Sequence, residues 1–150
     1  MVYGKLITPQ GNTIEEIKDA ISDVTDIRYQ VFGVKEDIKD INANLVLVQD
    51  IKTEKYVATG RIYMNENYDF VIDLIGVLEE YRRLKYGDFV MRMLVDKAFS
   101  CNATKVYACK NPDNSEVSTE FLKHYNFQED KDNYMVLDRK NYSTGCGHCH

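Results

Sequence analysis

Residues 70–77 read FVIDLIGV, and seven of these eight positions carry no ionisable side chain. A strand with one wet face alternates polar with apolar residues. This run does not, so it reads as a central strand covered on both faces. Directly after it, EEYRRLKYGDF places Arg82, Arg83 and Lys85 within four positions and reaches Gly87. Phe89, Val90, Met93, Leu94, Ala98 and Cys101 then recur as one helical face up to Asn102. The three cations therefore lie on a turn that leads from a buried strand into a helix.

The remaining pattern supplies what would cover that strand. VYGKLIT suits a first strand stopped by Pro9, and Thr13 with Glu16 forms a capping box ahead of Ile14, Ile17, Ile21, Val24 and Ile27 at helical spacing. This helix runs to Val31 and Phe32, and the charged residues 35–40 suggest a second, short one. NLVLVQDI and KYVATGRIYM, joined through Lys52-Thr53-Glu54, read as a β-hairpin. KVYAC is a fifth strand, SEVSTEFLKHY a helix after the turn at Pro112, and NFQED with NYMVLD a last hairpin. Helices and strands in this mixed order predict an α/β (α+β) domain with a layered sheet.

The 150 residues are 44% hydrophobic, enough for one domain with its own core. Residues 1–140 are assigned to that domain and 141–150 to a Cys/His-rich tail. The net charge of −5 repels a nucleic-acid backbone or an anionic bilayer, so neither is an expected partner. No apolar stretch is long enough for a membrane span, and Met1–Gln10 lacks the pattern of a secretory signal, which makes a cytoplasmic location the simplest expectation. Cys101 and Cys109 lie within apolar pattern, while Cys146 and Cys149 fall in the tail GCGHCH, an arrangement that is no disulfide framework. Cys146, His148, Cys149 and His150 crowd too closely to wrap one tetrahedral ion, and no helix follows the CGHC tetrapeptide to activate it as a redox motif. No metal site is assigned, and a redox or metal role for the tail stays open.

A helix that starts near Gly87 leaves its first N–H groups unpaired, with the positive end of the helix dipole behind them. Arg82, Arg83 and Lys85 add charge, and Gly87 admits a bulky anion to the backbone. A merely basic surface turn is the alternative.

The stretch VLEEYRRLKYGDFVMRMLVDKA resembles the acetyl-coenzyme A site of the GNAT acyltransferase superfamily, whose signature is Q/R-x-x-G-x-G/A. Val77, Tyr81 and Arg82 fall at the family spacing, Lys85 replaces the first glycine and Gly87 takes the last. IRYQVFGVKE resembles the R-x-x-V-F-x-x-E segment of one bacterial subgroup, ATGRI a third-strand step, and FLKHYNF the F-Y-x-x-x-G-F segment. The resemblance spans roughly residues 3–138. It implies a GNAT-like fold, a mixed central sheet of about six to seven strands flanked by helices. It also implies acetyl-coenzyme A as cosubstrate, with its pyrophosphate on Arg82, Arg83, Leu84, Lys85, Tyr86 and Gly87, its pantetheine arm along Ile75 and Val77, and a contact from Ser115, Asn114 or Asn111.

For the chemistry, Asp73 is the one ionisable residue of the apolar run and the candidate base, unless it caps a loop or pairs with Arg61. The tyrosine that normally protonates the leaving sulfur is replaced by Leu122, so Tyr125 is the candidate acid, with His124 a substitute. Cys109 ends the fifth strand and is read as an inert thiol. The implied activity is direct acetyl transfer to a primary amine of a small molecule or peptide. A homodimer is left open. The rival readings are a non-catalytic coenzyme A-binding module and a metal- or redox-handling protein acting through the tail.

Overall fold

The apolar run is strand β4 (Phe70–Val77), and it takes the middle place among seven strands. The computed structural model describes residues 2–34, 37–109, 118–131 and 133–142. Before β4 come β1 (Val2–Ile7), α1 (Ile14–Phe32), β2 (Asn44–Asp50) and β3 (Tyr56–Met64). After it come α2 (Tyr86–Ser100), β5 (Lys105–Cys109), α3 (Thr119–His124), β6 (Gln128–Glu129) and β7 (Tyr134–Asp138). Single 3-10 turns lie at Ile38–Asn42, Glu79–Tyr81 and Arg139–Asn141. The sheet order is β1-β2-β3-β4-β5-β7-β6, antiparallel throughout except between β4 and β5. Parallel strands need a crossover, and α2 supplies it.

Both faces of β4 are covered, as its composition demands. On one side Val90, Met91, Leu94, Val95 and Ala98 of α2 pack on Val46, Val48, Ile62, Ile72 and Ile75. Gly60 permits this approach, because a Cβ there would stand 2.5 Å from Val90 Cγ1. On the other side Ala20, Val24 and Ile27 of α1 pack on Leu45 and Leu47. The capping box opens α1: the Glu16 N–H donates to Thr13 Oγ1 at 3.1 Å, and the Thr13 N–H donates to Glu16 Oε1 at 2.8 Å. Gly33, at φ 74°, closes it.

A bulge decides which β4 residues meet which helix. Between the pairs Arg61↔Asp73 and Thr59↔Gly76, Leu74 and Ile75 together face the single residue Gly60. Leu74 takes a left-handed φ of 53° to do so. The extra residue breaks the alternation, so Ile72, Ile75 and Val77 all join the α2-side core. Gly76 turns to α1, where a Cβ would lie 3.1 to 3.3 Å from Phe32 and Val31.

Some boundaries differ from the sequence expectation. The short helix expected at 35–40 is a 3-10 turn at Ile38–Asn42, capped by Asp37. Cys101 is exposed, because α2 ends at Ser100 and its apolar face ends there too. The helix expected from Ser115 is described from Thr119, with the Ser118 side chain capping the Phe121 N–H at 3.1 Å.

Candidate active site

The pairing of β4 with β5 stops at Ile72↔Ala108. From Asp73 onward the β4 edge on that side has no ladder partner among the described residues, so its backbone groups are left for something else. This open edge leads through Val77 to the start of α2.

There, Arg83 and Lys85 adopt left-handed backbone, φ 68° and 66°. Lys85 is the N-cap of α2 and makes no side-chain cap, so the first N–H groups of the helix lack that partner. Arg82 turns back, its Nε donating to the Val77 carbonyl at 3.0 Å, which fastens the turn to the strand end. Arg83, Leu84 and Lys85 are exposed, and Tyr86 stacks on Tyr81 with ring centroids 6.4 Å apart. A Cβ on Gly87 would meet only Val77 Cγ2, at 4.0 Å, and the φ of Gly87 is ordinary. Nothing in the fold itself therefore requires glycine at this place. Uncapped donors, flanking cations and a bare backbone together suit a phosphate group. Asp88, on the same first turn, is engaged with Tyr125: its Oδ1 accepts the tyrosine hydroxyl at 2.6 Å.

Asp73 is not the isolated carboxylate that the apolar run suggested. Arg61 holds both its oxygens, Nε to Oδ1 at 2.8 Å and Nη2 to Oδ2 at 2.7 Å. Arg61 Nη1 continues to Asp40 Oδ1 at 3.1 Å and to Asp37 Oδ1 at 3.3 Å. Asp40 in turn accepts two bonds from Arg28, at 2.7 and 2.8 Å. Four elements are thus tied by one buried chain of charges: α1, the 3-10 turn after it, β3 and β4. Burial works against the Arg61 charge, but the bonds and charge of Asp73, with Asp40 and Asp37 behind them, outweigh it and raise its pKa. Burial also pushes the Asp40 carboxyl up, yet Arg28 and Arg61 overcome this and hold it below its ordinary value.

The acid side also differs from expectation. Leu122 is fully buried among the α2-side core residues. Tyr125 packs its ring on Phe121, with centroids 5.3 Å apart, and its hydroxyl donates a hydrogen bond to Asp88. Burial and then the Asp88 hydrogen bond raise the phenol's pKa, the opposite of what a general acid near neutral pH needs. Cys109 is half-buried; burial and the Asp73 carboxylate push its thiol up, with Lys39 pulling the other way.

On the α1 side of the sheet a cavity of about 520 Å³ lies between the β3–β4 turn, β5 and the β6–β7 hairpin. Tyr63, Tyr107 and Tyr134 form its walls, with Val71 of β4 between them. Tyr107 and Tyr134 meet edge to face, 6.3 Å between centroids.

A model of the acetyltransferase (GNAT) family matches residues 14–127. The chain belongs to that family. Solved structures share the architecture at low identity. A Pseudomonas aeruginosa acyl-CoA N-acyltransferase is 14% identical with a TM-score of 0.72, over 93% of this chain and 99% of that one. A GNAT-family acetyltransferase of Staphylococcus aureus Mu50 is 14% identical with a TM-score of 0.64, over 91% and 99%. A candidate streptothricin acetyltransferase of Bacillus anthracis str. Ames, solved with acetyl coenzyme A, is 15% identical with a TM-score of 0.54, over 65% and 62%. No curated protein sequence matches.

Within this GNAT-family chain, Ile75, Val77 and Arg82 to Gly87 follow one another along the open edge of β4 and onto α2. Asp73 turns to Arg61 and Tyr125 to Asp88. Ser115, Asn111, Asn114 and the Cys146–His150 tail lie outside the described residues. The tyrosine-walled cavity and the Arg28–Asp40 pair were not found from sequence. The signal for the cavity was faint: Tyr63, Tyr107 and Tyr134 each stand at a half-buried position of a different strand.

Proposed function

We propose that this GNAT-family protein transfers an acetyl group from acetyl-coenzyme A to a primary amine by direct transfer. The observation that carries the reading is Gly87, a glycine that neither packing nor backbone angle explains, beside uncapped N–H donors at the end of an open strand edge. Acetyl-coenzyme A supplies the activated thioester. The N–H groups at the start of α2 hold its pyrophosphate, with Arg83, Leu84, Lys85 and Tyr86 around them. Arg82 keeps the turn on Val77. The backbone of Ile75 and Val77 lines the pantetheine arm, and edge N–H groups near the bulge stabilise the oxyanion.

Asp73, with both oxygens on a guanidinium, orients the attacking amine as a hydrogen-bond acceptor, since each carboxylate oxygen has a second lone pair to offer. The amine's proton goes to solvent. With Leu122 in the core and the Tyr125 hydroxyl donating to Asp88, the sulfur leaves as thiolate, which a thiol of pKa about 8.5 tolerates.

Calorimetry with acetyl-coenzyme A and a thiol-release assay test this on Gly87→Ala. The substitution leaves the fold intact and should raise stability by about 0.5–1 kcal/mol, as alanine does in a helix, while cofactor affinity falls at least about tenfold, about 1.4 kcal/mol. Unchanged affinity would remove the phosphate from this turn.

A further inference from the structure

Lys39 projects from the 3-10 turn at Ile38–Asn42 into the lining of the tyrosine-walled cavity. Its Nζ lies 4.6 Å from the Tyr63 ring centroid and 3.4 Å from the Tyr63 hydroxyl, and it makes no ion pair with a described residue. Asp73 follows Ile72, the last β4 residue paired with β5, and Arg61 ties it to Asp37 and Asp40 on either side of Lys39, so Lys39 enters the cavity from the β3–β4 side of the strand split. Glu66, Asp69, Asp130 and Lys131 also line the cavity, and none is ion-paired among the described residues. Asp69 precedes Phe70, the partner of Val106, and so lies toward the opening of β5, whereas Asp130 bonds the Tyr134 carbonyl through its N–H at 3.2 Å, level with Cys109 but across β7.

Two cations and three anions among the described residues line one space with no ion pair between them. Such a lining favours neither a polyamine, which wants a clear excess of acids, nor a phosphorylated amine, which wants an excess of cations. A ligand that carries both signs finds a partner for each. On the β3–β4 side of the strand split, away from Asp130 across β7, the lining residue with a charge and no ion pair among the described residues is Lys39, so the anion of that ligand sits beside its reacting amine.

We infer that the acceptor is a free α-amino acid, its carboxylate held by Lys39 and its amine directed at the β4–β5 split beside Asp73. The inference rests on the acetyl transfer proposed above and specifies its acceptor. The neutral amine nitrogen bonds to the acetyl carbon, the C–S bond breaks with its electron pair on sulfur, and the proton released by nitrogen passes through solvent to the thiolate. The side chain lies against the Tyr107 and Tyr134 rings, in a volume within the usual range for small-ligand sites.

The test compares the twenty common L-amino acids with their carboxamides, which keep the amine and lose the negative charge. Binding is measured by calorimetry on the whole protein, and turnover separately by thiol release from acetyl-coenzyme A. At least one amino acid should bind about tenfold or more tightly than its amide. Lys39→Ala, an exposed position, should erase that preference, and Lys39→Arg should restore most of it. Amides that match the acids, a preference that survives Lys39→Ala, or the absence of amino-acid binding each overturn the inference. Thiol release seen only with spermidine or glucosamine overturns it too and leaves acetyl transfer standing. Amino-acid binding that depends on Lys39, with no thiol release from any amine, keeps the site and removes the transfer reading.

Discussion

Lys85 holds φ 66° where the family motif has a glycine. A left-handed conformation costs an L-residue about 1–2 kcal/mol, which a glycine avoids. The strain is retained together with a charge next to uncapped helix donors. Lys85→Gly separates the two: stability in a urea titration should rise by up to about 1 kcal/mol, while coenzyme A binds more weakly and with a shallower dependence on salt. Equal or tighter binding would show that the lysine crowds the phosphate instead of neutralising it. The sequence named this residue and its replacement of a glycine, because both are one-dimensional facts. Its backbone angle was not legible, since φ at a turn is imposed by the strand end and helix start that the turn joins.

The 3-10 turn at Ile38–Asn42 is held to α1 and the sheet through Asp40, which binds Arg28 and Arg61 at once. A buried pair stripped of one partner leaves an uncompensated charge, at about 3–5 kcal/mol, so Asp40→Asn should be severely destabilising. The pH dependence follows from the lowered pKa of Asp40. Its contribution is fully present above the unfolded carboxyl value of about 4 and is lost as pH falls below that toward the folded value. Urea midpoints between pH 5 and 2.5 should therefore fall for the parent with a steeper slope than for Asp40→Asn. Parallel slopes would show that Asp40 is not a source of acid sensitivity. Arg28 was read from sequence only as part of R-x-x-V-F, and the structure gives it a partner twelve residues on. Helical spacing places a residue on a face but does not name what the next loop will bring against that face.

Across the molecule, α2 is the part to which the later elements are fastened. Asp88, Arg92 and Asp96 follow at four-residue spacing along it. The Tyr125 hydroxyl meets Asp88 and the Tyr142 hydroxyl meets Asp96, each at 2.6 Å. Tyr142 also packs its ring on Phe99, 5.3 Å between centroids. Tyr142→Phe keeps that ring and removes the bond, so it should cost about 1 kcal/mol and speed hydrogen exchange first in β7. Unaltered protection there would show that ring packing alone fastens the chain end. The sequence by itself determined the strands, the long helices, the central place of FVIDLIGV and the basic turn that joins it to α2, because periodicity, capping and composition are local properties of the chain. Tertiary structure alone decided that Asp73 serves Arg61, that Tyr125 serves Asp88, and that tyrosines from three strands wall one cavity. The reason is physical: a buried charge or hydroxyl settles on whichever partner the fold brings within about 3 Å, and here those partners lie 12 and 37 residues away.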